Sequence, residues 1–172
     1  MLYELTKDKF LSDNEYNEII DTCNRYPSRN STLIKFALAS GARASEILSV
    51  TLKDMDSSEK SVYLRTNKKG KDRYIFLSND LFELVYKLAL SNKNNKPFNI
   101  TYQRLVQIWA KYRVGGKKFH SLRHTAAVRL YKKTKDMKLV QLFLGHRHMS
   151  TTAIYTDFQY SVEKMREMLV DE

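Results

Sequence analysis

The sequence predicts a mainly helical domain carrying one small antiparallel sheet, an α+β class, and three observations support it. Apolar residues recur at helical spacing through most of the chain. Between residues 51 and 77 that period gives way to two short β-rich runs joined by a glycine-containing connection. With 172 residues, 42% of them hydrophobic, the chain can bury one compact core, and no repeat or low-complexity run divides it.

Residues 1–11 have no clear period. Ser12-Asp13-Asn14-Glu15 has the form of a capping box, in which a hydroxyl and a carboxylate satisfy each other's backbone N–H groups. The helix it opens carries Tyr16, Ile19, Ile20 and Cys23 on one face. Residues 25–31, with Pro27, read as a connector. Residues 32–40 are apolar on nearly all sides and predict a buried helix. Gly41 ends it, because glycine takes the left-handed conformation of a helix C-terminus without steric cost. The strand runs are 61–66 and 72–77, with Asn67-Lys68-Lys69-Gly70-Lys71 as the hairpin connection between them. Residues 79–91 predict an amphipathic helix with Leu81, Leu84, Val85 and Leu88 inward, followed by a polar loop over 91–97. A helix over 101–113 places Leu105, Ile108 and Trp109 in the core, and Gly115-Gly116 ends it. Ser121 is expected to cap a helix over 122–132, and a short helix over 138–144 stops at Gly145. The last residues, 156–172, keep a narrow apolar stripe of Val162, Met165, Met168 and Leu169.

Composition narrows the partners. Thirty Lys and Arg against nineteen Asp and Glu give a net charge of +11, with a pI near 9.6. Such an excess favours a polyanion, nucleic acid first and an acidic membrane surface second. The single cysteine, Cys23, rules out an internal disulfide and any Cys-x-x-Cys metal site, and its place in an apolar pattern marks it as a small buried hydrophobe. No apolar run reaches the length of a membrane span, and the N-terminus lacks the apolar centre of a signal peptide, so a soluble cytoplasmic protein is expected.

Chemistry concentrates in residues 117–155. His120, Arg123 and His124 fall within five residues at a helix start, and His120 and Arg123, three apart, share one side of its first turn. The positive end of the helix dipole makes this a ready anion site. By itself His-x-x-Arg also fits a packing histidine beside a solvated arginine.

The pattern does not stand by itself. HSLRH followed by LGHRHMSTTAIY resembles the second box of the tyrosine recombinases, the phage-integrase and Xer-type enzymes: His-x-x-Arg, then Leu-Gly-His, then a tyrosine nine residues on. His120, Arg123, His146 and Tyr155 match it position by position. Upstream, Gly41-Ala42-Arg43-Ala44-Ser45-Glu46 is similar to the family's first arginine box. The resemblance implies the family's DNA breaking and rejoining fold and a metal-free, ATP-free chemistry with no cofactor. Arg43 and Arg123 would hold nonbridging phosphate oxygens, where arginine's planar fork does what lysine cannot. Tyr155 would attack to give a 3′-phosphotyrosyl link and a free 5′ hydroxyl. His120 would take or position the tyrosine proton, His146 would bond the phosphate, and Glu46 would orient an arginine. The family's hairpin lysine, in a Lys-x-Gly-Lys-x-Arg-like pattern, falls on Lys68 as general acid, with Lys69 as the competing choice. Lys69, Lys71, Lys117, Lys118, His124, Arg147 and His148 are expected to support the site or contact the DNA backbone.

The resemblance also implies partners. They are double-stranded DNA and, on it, three further copies of the chain in a tetramer joined through the 156–172 tail, the free protein being a monomer. That tail would otherwise fold back on its own domain. The chain begins near where the family's catalytic domain begins, so the N-terminal clamp domain is expected to be absent and DNA binding by this chain alone to be weak. A nucleoid-associated protein of bacterial, archaeal or viral origin is expected. Two alternatives stand beside this reading: a type IB topoisomerase-like or telomere-resolving enzyme, and a non-catalytic DNA-binding regulator of the same fold.

Overall fold

Two serine capping boxes start the helices on which the domain is built. In the computed structural model, which describes residues 5–66 and 70–156, the Ser12 side chain accepts from Glu15 N while the Glu15 carboxylate accepts from Ser12 N, opening α1, Asp13–Arg25. Ser28 and Ser31 make the same exchange and open α2, Arg29–Ser40. That helix therefore begins inside the connector expected over 25–31. Serine stands where Glu or Gln usually completes the box, so the sequence pattern did not mark it. α2 is buried through Leu33, Ile34, Phe36, Ala37 and Leu38, as its lack of a polar face requires, and it ends at Gly41 with φ 56°.

α3, Ala44–Ser49, follows, and a short 3-10 turn at Leu52–Asp54 leads into the sheet. Strands β1 (Met55–Asp56), β2 (Ser61–Leu64) and β3 (Arg73–Phe76) lie antiparallel in chain order. The register sets Val62 against Ile75 and Leu64 against Arg73. Since alternate residues share a face, this turns Arg73 inward with Val62, Leu64 and Ile75, and leaves Tyr74 and Phe76 exposed. Both predicted strands form. β1 is two residues long, below the reach of any alternation pattern.

The remaining helices are α4 (Asn79–Ser91), α5 (Tyr102–Tyr112), α6 (Ser121–Thr134), α7 (Met137–Leu144) and α8 (Ser150–Ala153). In α4, Leu81 and Val85 face the core but Leu84 does not: it is 43% exposed, because the buried stripe runs through Phe82 and Ala89 instead. Ser121 does not cap α6. It lies within the helix, His120 holds the cap position with helical backbone angles, and no side-chain cap bond forms. α8, only four residues, left no periodic signal. Trp109 packs edge-on against Phe119 and donates its indole N–H to Lys117 O at 2.8 Å, a core role as expected. Cys23 is fully buried, and burial pushes its thiol up to about 11.

The main core gathers α1 to α5 and the inner sheet face around Ile19, Phe36, Ile47, Val62, Phe82 and Ile108. A smaller core joins Leu5 and Phe10 to Ala127, Val128 and Tyr131 of α6, to Val140 and Leu144 of α7, and to Tyr155. α6 serves both, since Leu122 belongs to the first and Ala127 to the second. Among the described residues no helix is long and apolar enough to cross a membrane.

Gly145 joins α7 to the sheet. Its φ of 67° is the left-handed conformation, and a Cβ there would stand 2.5 Å from the Lys71 carbonyl oxygen. Gly145→Ala should therefore cost about 1–3 kcal/mol, from backbone strain and displacement of the hairpin base. Urea unfolding followed by circular dichroism measures it, and an unchanged midpoint would contradict this packing.

Candidate active site

Glu46 lies on α3, is 1% exposed, and collects donors from four segments of the chain. Its Oε2 accepts from Arg43 N at 2.8 Å, and its Oε1 from Arg43 Nη1 at 3.1 Å. Arg73, delivered inward by the β2–β3 register, forks onto both oxygens at 3.1 and 3.0 Å, and Thr66 Oγ1 donates at 2.6 Å. Arg123 Nη1 stands 3.9 Å from Oε2. Burial acts most strongly on this carboxyl and would raise its pKa. The Arg73 bonds and charge, Thr66 and the Arg43 N–H together outweigh it and hold the group down at about 2.

Arg123, 2% exposed, is fixed from α6 by donating Nη1 to Gly41 O at 2.6 Å and Nη2 to Leu144 O at 2.7 Å. Both acceptors are near helix ends, where α2 and α7 have carbonyls without helical partners. Desolvation first, then the Arg43 and Arg73 charges, lowers its pKa to about 9, so it stays cationic at neutral pH. Arg43 is the accessible guanidinium, with a third of its side chain in solvent. His120 is also exposed, and desolvation followed by Arg123 and Arg43 lowers its pKa.

The two boxes expected to form one site do come together. His146 follows α7, is buried, and bonds Thr152 Oγ1 of α8 through Nδ1 at 3.0 Å. Tyr155 is 2% exposed, and its hydroxyl lies 3.0 Å from His124 Nδ1. His124, expected either to support the site or to contact the DNA backbone, is buried against the tyrosine. Desolvation, ahead of neighbouring cations, pushes His124 and His146 down to about 3, so both rings are neutral at pH 7.

The hairpin base is tied to the same place. Lys71 N donates to Gly145 O at 2.8 Å, Gly70 bridges to His146, Arg147 Nε donates to Gly70 O at 3.2 Å, and Arg73 Nε to Phe143 O at 2.6 Å. Lys68 and Lys69 lie outside the described residues. The side chains of Lys71, Lys118, Arg147 and His148 are exposed around the site, whereas Lys117 is half-buried and paired with Glu15 at 2.5 Å. Lys9, Lys117, Lys118 and His120 line an open cavity of about 580 Å³ beside the site.

Sequence reasoning gave Arg73 no role. Its signal was available, for it ends the Lys-x-Gly-Lys-x-Arg-like pattern, and strand alternation from Ile75 turns it inward. Chemically, the site offers a cluster of fixed cations, two neutral imidazoles and a phenol. This is an arrangement suited to a phosphodiester, and among the described residues no group of three or more His, Cys, Asp or Glu is placed to hold a metal ion.

Residues 9–161 match the model of the phage integrase family. Over 155 residues the chain is 31% identical to the tyrosine recombinase XerA of Saccharolobus solfataricus, covering 86% of this chain and 52% of that one. It is 28% identical over 185 residues to the tyrosine recombinase XerH of Campylobacter jejuni, covering 95% and 52%. A crystal structure of the XerH site-specific recombinase bound to palindromic difH substrate, a post-cleavage complex, superposes with a TM-score of 0.73 at 25% identity, covering 97% of this chain and 54% of that one. The chain thus spans about half the length of these relatives.

The Glu46 cluster makes a testable prediction of stability against pH. The carboxyl titrates from 4.5 when unfolded to about 2 when folded, so its contribution is complete above pH 4.5 and is lost as pH falls towards 2. Glu46→Gln, which leaves buried guanidiniums without their carboxylate, should cost about 3–5 kcal/mol at pH 7. The gap to the native protein should shrink by about 3 kcal/mol between pH 4.5 and 2. Denaturant titrations at several pH values read this directly, and a gap independent of pH would contradict the pairing.

Proposed function

The chain belongs to the phage integrase family of tyrosine recombinases, and from that premise we propose that it is the catalytic domain of a site-specific recombinase that cuts and rejoins double-stranded DNA through Tyr155. The observation that carries this reading is the gathering of Arg43 and Arg123, from distant parts of the chain, on one buried carboxylate, with buried Tyr155 against His124, the residue after Arg123.

The geometry supplies what phosphodiester cleavage needs. Guanidiniums already fixed by Glu46, Gly41 and Leu144 need no rearrangement when charge builds on the phosphate, so their field favours the transition state. The Tyr155 oxygen attacks phosphorus, the bond to the 5′ oxygen breaks, and the departing oxygen takes a proton to become a 5′ hydroxyl. Lys68, or Lys69 beside it, is the donor in this reading. His120 takes or positions the phenol proton, and His146 bonds the phosphate. The phosphotyrosyl link conserves the energy of the broken bond, so attack by a 5′ hydroxyl of another strand reseals DNA without ATP. The +11 charge and the exposed Lys71, Lys118, Arg147 and His148 give the surface a phosphate-binding character, with Lys117 at its edge. Residues 157–172 lie outside the described residues. Their apolar stripe is assigned to a neighbouring subunit in a tetramer on DNA, the free protein being monomeric.

A pre-nicked duplex taken from DNA flanking the gene traps the covalent product on a denaturing protein gel, with a supercoiled plasmid as second substrate. The native protein should give a shifted band and Tyr155→Phe none. Arg123→Lys should slow its appearance by at least about 100-fold. A band of native intensity from Tyr155→Phe would overturn the assignment.

A further inference from the structure

The nucleophile assignment leaves one contact without a role. The Tyr155 hydroxyl sits 3.0 Å from His124 Nδ1, with the rings tilted at 50° and centroids 5.9 Å apart. Neither partner is free to drift. Tyr155 packs in the smaller core with Val128, Val140 and Leu144. His124 is held in α6 one residue from Arg123, and its ring meets that of His120 edge to face, centroids 4.7 Å apart at 87°.

We infer that His124 is a positioning residue for the cleavage step: its ring holds the Tyr155 oxygen at a fixed place relative to Arg123. This rests on the reading of Tyr155 as nucleophile. A phenol swings about its Cα–Cβ bond, which carries its oxygen through a wide arc unless something outside the ring fixes it, and in-line attack tolerates little misplacement. His124 and Arg123 are adjacent in one helix, so a bond from His124 to the hydroxyl ties nucleophile and phosphate-binding cation to the same rigid segment. The low basicity of the buried ring fits holding rather than proton transfer, because an imidazole that titrates near 3 is a poor acceptor for a phenol proton. In the proposed reading that transfer falls to the exposed His120, whose ring meets that of His124.

The test compares His124→Asn, whose amide oxygen can stand near the place of Nδ1, with His124→Leu, which fills similar space without a polar atom. Single-turnover formation of the covalent product on the pre-nicked duplex is measured beside DNA affinity and thermal unfolding. His124→Ala is run in parallel and replaces His124→Leu if the latter does not fold. Cleavage by the Leu or Ala variant should fall at least about tenfold while DNA affinity stays native, and Asn should restore most of the rate. Equal losses in the Asn and Leu variants, a native rate in the Leu variant, or faster cleavage without the imidazole would each overturn the inference. Tyr155→Phe separates the two claims. If it still forms the covalent product, the nucleophile reading fails and this inference with it. If it is inert while His124→Leu cleaves normally, only the role of His124 fails.

Discussion

A single buried carboxylate sets the geometry on which the site depends. Glu46 sits among Arg43, Arg73 and Arg123, guanidiniums drawn from the α2–α3 junction, from strand β3 and from helix α6. The buried Arg73 and Arg123 are tolerable because Glu46 and backbone carbonyls compensate them, since an uncompensated ion in a core costs several kcal/mol. Pairing with this one carboxylate therefore draws three distant segments together. Of the three, Arg43 alone stays partly in solvent, open to a phosphate in the proposed reaction. For the proposed reaction, rigidity and reactivity would have one cause: the cations are held before any phosphate arrives, so little reorganisation would remain.

The second constraint is the join between hairpin and α7. Backbone groups of Gly70, Lys71, Phe143 and Gly145, with the side chains of Arg73 and Arg147, make the base of the β2–β3 connection and the start of the Leu-Gly-His box one structural unit. Gly145 allows this because no side chain fits between it and Lys71. The consequence for function is positional. The connection that carries Lys68 leaves the sheet at a point fixed relative to His146, and Arg73 extends that connection to Glu46. Sheet register, a feature of local folding, thereby governs how site residues approach one another.

Much of this was legible in the sequence because it depends on local chemistry. Glycine at 41 and 145, serine at 12 and the alternation of strands 61–66 and 72–77 each act within a few residues, and the structure follows them. The boxes around Arg43 and from His120 to Tyr155 were legible through their joint spacing. What escaped was decided by tertiary packing. The sequence left His124 between supporting the site and contacting DNA, because a histidine beside an arginine at a helix start fits both; only tertiary packing sets it against Tyr155. Leu84 satisfies the helical period yet faces solvent, because α4 turns Phe82 inward instead. Ser121 has the right residue type for a cap, but the helix begins one residue earlier, at the backbone of His120.

The claim at the centre of the account is that one phenol among eleven tyrosines becomes joined to DNA. Trapping the covalent product on a pre-nicked duplex, digesting DNA and protein, and sequencing the nucleotide-bearing peptide by mass spectrometry tests it most directly. The account predicts a phosphonucleotide on Tyr155, within the peptide that follows His148. A nucleotide on another tyrosine, or on a serine or threonine of the same segment, would contradict it.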